Sequence, residues 1–266
     1  MNDYQFSQLL NHFGLSWDGY RKVRKGVKKR IRRHMHQMGC KTMQEYLAAL
    51  DQDKEAGSHC ELLMTVSVSR FFRDRGLWEI LESEILPAII LKNKEAVKCW
   101  LAGCACGQEV YSLKIVWDRL GGRNKRLPAL EIWATDMNPD YLDKARTGVY
   151  HRSSLREAPQ ALRDIYFESH AKGQFFAVRD TVKKGIFWQV HNLLSDPPAT
   201  DFQLVFLRNS LLTYYQDELK APAFEKVVES LDQDGFLIIG AGEKLPSGSR
   251  GLLPFAGHPC IFQKEA

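Results

Sequence analysis

The stretch VKCWLAGCACGQEVYSLKIVWDRL, residues 97–120, decides the fold. Its first part is a short apolar run that ends on Gly103. A turn with a second glycine, Gly107, follows, and QEVYSLKIVWDRL then reads as a helix. Downstream, LEIWATD (130–136) is a second apolar strand that ends on an acid, and NPDYLDKARTG (138–148) is a helix closed by Gly148. The pattern repeats with DFQLVFLRN (201–209), the helix QDELKAPAFEKVVESL (216–231) and DGFLIIGAG (234–242). Apolar strands alternating with helices of this length predict an α/β fold. The sheet should be doubly wound, mostly parallel and covered on both faces. Trp100, Trp133 and Phe206 fall within these strands as core. GGRNKRLP (121–128) reads as a loop, and FFAVRD and IFWQVH around a Lys-Lys-Gly turn predict a small inserted antiparallel hairpin at about 173–191.

Strand, glycine-bearing turn, helix, strand and acid together form the grammar of a nucleotide-type site. Gly103 and Gly107 let the backbone approach a ligand at the carboxyl end of the first strand. Asp136, at the end of the second, can accept both hydroxyls of a ribose. The turn is not GxGxxG, and its distance to Asp136 exceeds the usual spacing of about 20 residues, so a dinucleotide is disfavoured. Two loop glycines and a capping aspartate would account for the same residues.

The region before this is helical. Val23, Val27, Ile31, Met35 and Met38 make one apolar stripe, while residues 21–33, RKVRKGVKKRIRR, carry nine Lys or Arg and no acid. Gly39 closes that helix, and Thr42-x-x-Glu45 is a capping box opening MQEYLAAL. DQDKEAGSH (51–59) reads as a polar loop. The 266 residues, 44% hydrophobic and 26% charged with a net charge of +5, suit a mid-sized catalytic domain plus an appendage. Six scattered cysteines lack zinc spacing and the eight histidines lack ligand spacing, so neither a metal site nor disulfides are expected. With no apolar stretch near the roughly 20 residues of a membrane span and no secretory signal, the expected location is cytoplasmic.

Six segments, in one order, resemble the CheR family of S-adenosylmethionine-dependent chemoreceptor glutamate methyltransferases. They are TVSVSRFFRD (65–74), GCACGQEVYSLKI (103–115), ATDMNPDYLDKARTGVY (134–150), HNLL (191–194), FLRNSLLTYY (206–215) and IIGAGEKLP (238–246). The resemblance implies a helical basic domain over 1–64 and a linker over 65–75 that contributes to the site. A class I methyltransferase-like domain over 76–266 follows. It further implies that Ser67, Ser69 and Arg73 line the methionine end of S-adenosylmethionine. Gly103 and Glu109 would belong to the cofactor turn, with Glu109 near the amino group and Asp136 on the ribose. Asn192 and Leu193 would flank the adenine, and Arg208 and Asn209 would floor the pocket. Arg73, Arg208 and Tyr214 are the expected catalytic residues, and S-adenosylhomocysteine is the expected product. Phe71 and Phe72 are expected to anchor the segment by packing.

The expected partner is an acidic, glutamate-bearing helical protein that docks on the basic helix. Nucleic acid is disfavoured because only Tyr20 borders the basic run. Several positions depart from the family pattern. Ser67 stands for a frequent asparagine, Gln108 for an acid and Val110 for a proline. Thr213 occupies the place of the active-site tyrosine, so the aromatic arrives one residue late as Tyr214. Two other functions fit the same residues: a methyltransferase acting on another carboxylate or small nucleophile, and a catalytically silent cofactor-binding docking module.

Overall fold

A computed structural model describes residues 1–93, 95–122 and 127–265. The loop expected over 121–128 therefore lies partly outside the described residues. Five helices open the chain: α1 Asp3–His12, α2 Trp17–Tyr20, α3 Arg24–Gln37, α4 Met43–Gln52 and α5 Lys54–Met64. Asn2 and Thr42 cap α1 and α4, each in a capping box with Gln5 or Glu45. The stripe on α3 buries Val27 and Ile31 against Phe6, Leu9, Leu10 and Tyr46, so the helical region has a core of its own.

The polar stretch 51–59, expected as a loop, is instead the end of α4 and the beginning of α5. Asp53 is the reason. Its side chain accepts from the amides of Glu55 and Ala56, supplying the N-cap that starts a new helix one residue after the last.

The second part carries α6 Arg75–Ile80, a π-turn at Leu81–Ile85 and α7 Leu86–Lys92 before the first strand. Strands β1 Ala96–Ala102 and β2 Ala129–Asp136 flank α8 Gln108–Gly121, and α9 Pro139–Thr147 follows β2. Three short strands, β3 Val149–His151, β4 Phe167–His170 and β5 Phe175–Val178, accompany α10 Gln160–Tyr166. The chain continues through β6 Ile186–Val190, β7 Phe202–Leu207, α11 Leu211–Tyr214, α12 Asp217–Glu229, β8 Leu231–Ile239, β9 Leu252–Pro254 and β10 Ile261–Lys264. The main sheet has the order β6-β2-β1-β7-β8-β10-β9. The first five of these strands pair in parallel; β10 and β9 add antiparallel pairs at one edge.

Trp100 locks the sheet centre by donating from its indole to Thr135 Oγ1 at 2.9 Å, both residues being buried. Phe206 is likewise core, while Trp133 packs partly buried against Phe187 and Phe202. Phe71 and Phe72 are buried and act as the expected anchors.

The hairpin expected at 173–191 does not form. β5 lies between β3 and β4, so both of its edges are already hydrogen-bonded. β6 cannot pair with it and crosses to the free edge of β2, in parallel register with Trp188 opposite Ala134. The small antiparallel element exists, but it is this three-stranded sheet.

Among the described residues no helix is long and apolar enough to cross a membrane.

The turns that follow α1 and α11 meet at a backbone seam. Leu15 and Tyr215 form an antiparallel bridge, the Ser16 amide donates to the Tyr214 carbonyl at 2.8 Å, and the Gln216 amide donates to the Gly14 carbonyl at 2.8 Å. Gly19 is required there, because a Cβ at this position would come within 2.1 Å of the Thr213 carbonyl oxygen.

Candidate active site

The site lies at the carboxyl ends of the parallel strands, beneath the helical region. After β1 the chain folds back onto β2: the amides of Gly103 and Cys104 both donate to the Thr135 carbonyl, at 2.8 and 2.9 Å. Gly103 holds φ +77° there, and a Cβ would meet Ser210 at 2.8 Å, so the closeness of this turn to the β7 exit needs glycine. The fold-back brings the Ala105 amide to Asp136 Oδ2 at 2.9 Å, and the Asn138 amide meets Oδ1 at 2.9 Å. Burial raises the Asp136 pKa, and these two amides oppose the rise. Asp136 also lines a cleft, where its remaining lone pairs are available.

Gly103, Asp136, Leu193, Asn209 and Tyr214 all line this cleft. Its other wall is Tyr20, Glu61, Met64 and Thr65 of the helical region, with Tyr141 from α9. Thr65 ties the walls together, since Asn138 Nδ2 donates to its hydroxyl at 2.9 Å and the Tyr141 hydroxyl lies 3.2 Å from the same atom.

The other expected residues are arranged differently. Glu109 and Arg208 do not line the cleft as free groups. The buried Arg208 guanidinium pairs with Glu109 through Nη1 and with Asp74 through Nη2. Burial raises the Glu109 pKa, and the Arg208 charge, then that of Arg73, pulls it back. Arg73 sits on the linker, donating from Nη1 to the Val68 carbonyl at 3.1 Å. Its charge reaches both Glu109 and Tyr214. Ser67 meets Cys106 Sγ at 3.3 Å, and Ser69 stands partly buried on the same extended segment. Asn192 accepts the Leu194 amide at 3.0 Å, so its carbonyl oxygen stabilises its own turn.

The late aromatic reaches the cleft by a local path that differs from a strand exit. Residues 211–214 form a helical turn, in which neighbours diverge by about 100° rather than pointing to opposite faces. Thr213 turns to donate to Glu243 at 2.5 Å, and Tyr214 turns inward to pack on Tyr20 with ring centroids 5.1 Å apart. Glu243 also accepts the amides of Asn209 at 2.8 Å and Gly240 at 2.7 Å, which fixes Asn209 in its left-handed conformation. Sequence reasoning missed Asp74, Glu243, Asn138, Tyr141 and Thr65. Glu243 had a signal in IIGAGEKLP, and Asn138 had one as the cap before Pro139. The rest had none.

The family description "CheR methyltransferase, SAM binding domain" matches residues 67–259. The chemotaxis protein methyltransferase of Listeria monocytogenes is 32% identical over 204 residues, covering 77% of this chain and 75% of that one. That of Vibrio parahaemolyticus is 31% identical over 208 residues, covering 75% and 74%. The chemotaxis protein methyltransferase of Borreliella burgdorferi is 26% identical over 252 residues, covering 92% of this chain and 87% of its own.

Proposed function

The chain belongs to the CheR methyltransferase family, and we propose that it methylates a glutamate side-chain carboxylate of a chemoreceptor-like signalling protein. S-adenosylmethionine is the cofactor of this family's domain, and the cleft fits it. The Gly103 turn leaves no room for a Cβ, and Asp136 offers a buried acceptor for hydroxyl groups in the same cleft. When bound, the cofactor supplies a methyl group on a positively charged sulfur.

The residues of the chain have alignment as their main task. A glutamate has a reference pKa of about 4.3, so the acceptor is already an anion at neutral pH and needs no general base. Asp136 holds the ribose, and Gly103, Leu193 and Asn209 shape the walls around it. Arg73 steers the acceptor, since a guanidinium fork matches carboxylate geometry and, among the described residues, its hydrogen bond is a single one to Val68. Tyr214 excludes water beside it, and Arg208 positions Glu109 and Asp74. Orientation of this kind contributes up to about 7–11 kcal/mol to such reactions.

The observation that carries the reading is Tyr214, Asn209 and Asp136 lining one cleft while the Arg73 charge reaches Tyr214. The test is transfer of labelled methyl from S-adenosylmethionine to a chemoreceptor cytoplasmic fragment. The expected product is a methyl ester that releases methanol in base. Arg73→Ala should lower turnover about tenfold or more, the worth of one charge-assisted hydrogen bond, with cofactor affinity little changed. Base-stable label, or wild-type turnover in the variant, would sink the reading.

The basic helix is the proposed docking surface, on a narrower face than its composition suggests. Lys28 and Arg24 pair with Asp3, and Arg30 donates to the carbonyls of Leu63 and Thr65, so these three hold the fold. Lys25, Lys29, Arg32 and Arg33 remain exposed at helical spacings. Reversing Lys25, Lys29 and Arg33 to Glu should slow association with the receptor fragment, most at low salt. Equal association rates at low salt would remove this docking role.

A further inference from the structure

The last turn of α5 is unusually well held. Arg30 donates to the carbonyls of Leu63 and Thr65, each at 2.8 Å, and the Tyr20 hydroxyl donates to the Met64 carbonyl at 3.1 Å. Asn138 fixes Thr65 from the opposite side. Glu61, Met64 and Thr65, at positions i, i+3 and i+4, share one face of this turn, and all three line the cleft. Met64 and Thr65 are thereby engaged. Glu61 is not: among the described residues its carboxylate has no hydrogen bond or ion pair, although it is partly buried and burial alone raises its pKa. A half-buried carboxylate presented on a well-held turn at the cleft, with no protein donor among the described residues, is an acceptor available to a ligand.

Its position along the cleft selects which part of the ligand. Asn138, whose amide donates to Asp136, also donates to Thr65 at the end of the turn that carries Glu61. Glu61 therefore stands on the Asp136 side of the cleft, whose lining includes neither Arg73 nor Glu109. With the ribose on Asp136 and the amino acid portion toward Arg73, the donor left for Glu61 is the exocyclic amine of the purine.

We propose that Glu61 is a further cofactor-binding residue, accepting a hydrogen bond from the 6-amino group of adenine and making the helical region part of the cofactor site. The proposal rests on the cofactor assignment above, and titration can separate the two. Calorimetry would compare S-adenosylhomocysteine with the analogue in which hydrogen replaces the 6-amino group. Wild-type protein should prefer S-adenosylhomocysteine by about 10- to 100-fold, the range for a hydrogen bond to a charged group. Glu61→Ala should lose that preference by weakening S-adenosylhomocysteine alone, and Glu61→Gln, which keeps an acceptor oxygen, should recover part of it. Equal weakening of both ligands in Glu61→Ala, or no weakening of either, would overturn the role of Glu61. So would wild-type protein that binds both ligands alike. Wild-type protein that binds neither would overturn the cofactor assignment itself, and the Glu61 proposal with it.

Discussion

Asp136→Ala is expected to lower affinity for S-adenosylmethionine and S-adenosylhomocysteine by more than about 100-fold, the loss of two charge-assisted hydrogen bonds to the ribose. The same substitution removes the acceptor for the Ala105 and Asn138 amides, so the turn after β1 would loosen as well. Asp136→Asn separates these contributions. It keeps one acceptor oxygen for the turn but lacks the charge, and its affinity should fall between those of wild type and Asp136→Ala. Calorimetric titration of the three proteins checks the order. Affinity in Asp136→Ala within a few-fold of wild type would mean that the cofactor's hydroxyls are held elsewhere.

Arg208→Met should produce the largest loss of stability of any single substitution in the site. The guanidinium is 1% exposed and bridges Glu109 and Asp74, whose side chains are 16% and 41% exposed. Removing one member of a buried ionic group leaves the other uncompensated, at a cost of about 3–5 kcal/mol. For a chain of this size the melting temperature should fall by roughly 10 °C. The loss should depend on pH in a definite direction. Glu109 already has a raised pKa from burial, and the Arg208 charge holds it back. Without Arg208 the pKa rises further, so the folded state binds this proton more readily than the unfolded state does. Stability of Arg208→Met must then increase as pH falls through the folded pKa of Glu109 toward its unfolded value, and be lost as pH rises through the folded pKa. Adding Glu109→Gln should recover part of the loss and flatten the pH dependence. Thermal unfolding between pH 5 and 8 tests both statements. A variant whose deficit is independent of pH would show that Glu109 is not the group left uncompensated.

How much of this was legible in the sequence depended on how local each cause is. The parallel core announced itself because β1, β2, β7 and β8 are buried on both faces and read as continuous apolar runs around glycines and acids. Asp136 and Gly103 could be picked out because each stands at a strand end, whereas Leu193 and Tyr214 were marked by segments that resemble the family. α5 was hidden because its first turn, KEAGS, is polar and its N-cap, Asp53, resembles an ordinary loop residue. The hairpin at 173–191 was misread because pairing depends on which strand edges are free, and β3 and β4 had already taken those of β5. The ionic triad could not be read at all. Asp74 and Arg208 are 134 positions apart, and nothing in either neighbourhood points to the other. Glu61 was obscure for the same reason, since its interest lies in a partner it lacks.

The seam between residues 14–16 and 214–216 bears on how such enzymes can be recombined. The cleft takes one wall from each side of that seam, and the bridge of Leu15 with Tyr215 sets their separation. A chimera cut at the end of α5 would join a foreign helical half to a Tyr214–Gln216 segment that it was not built to meet. On the docking role proposed above, specificity for a receptor is therefore not a detachable module. To transplant it intact, the 209–216 turn must travel together with the first 64 residues, although some 145 residues of chain separate the two pieces.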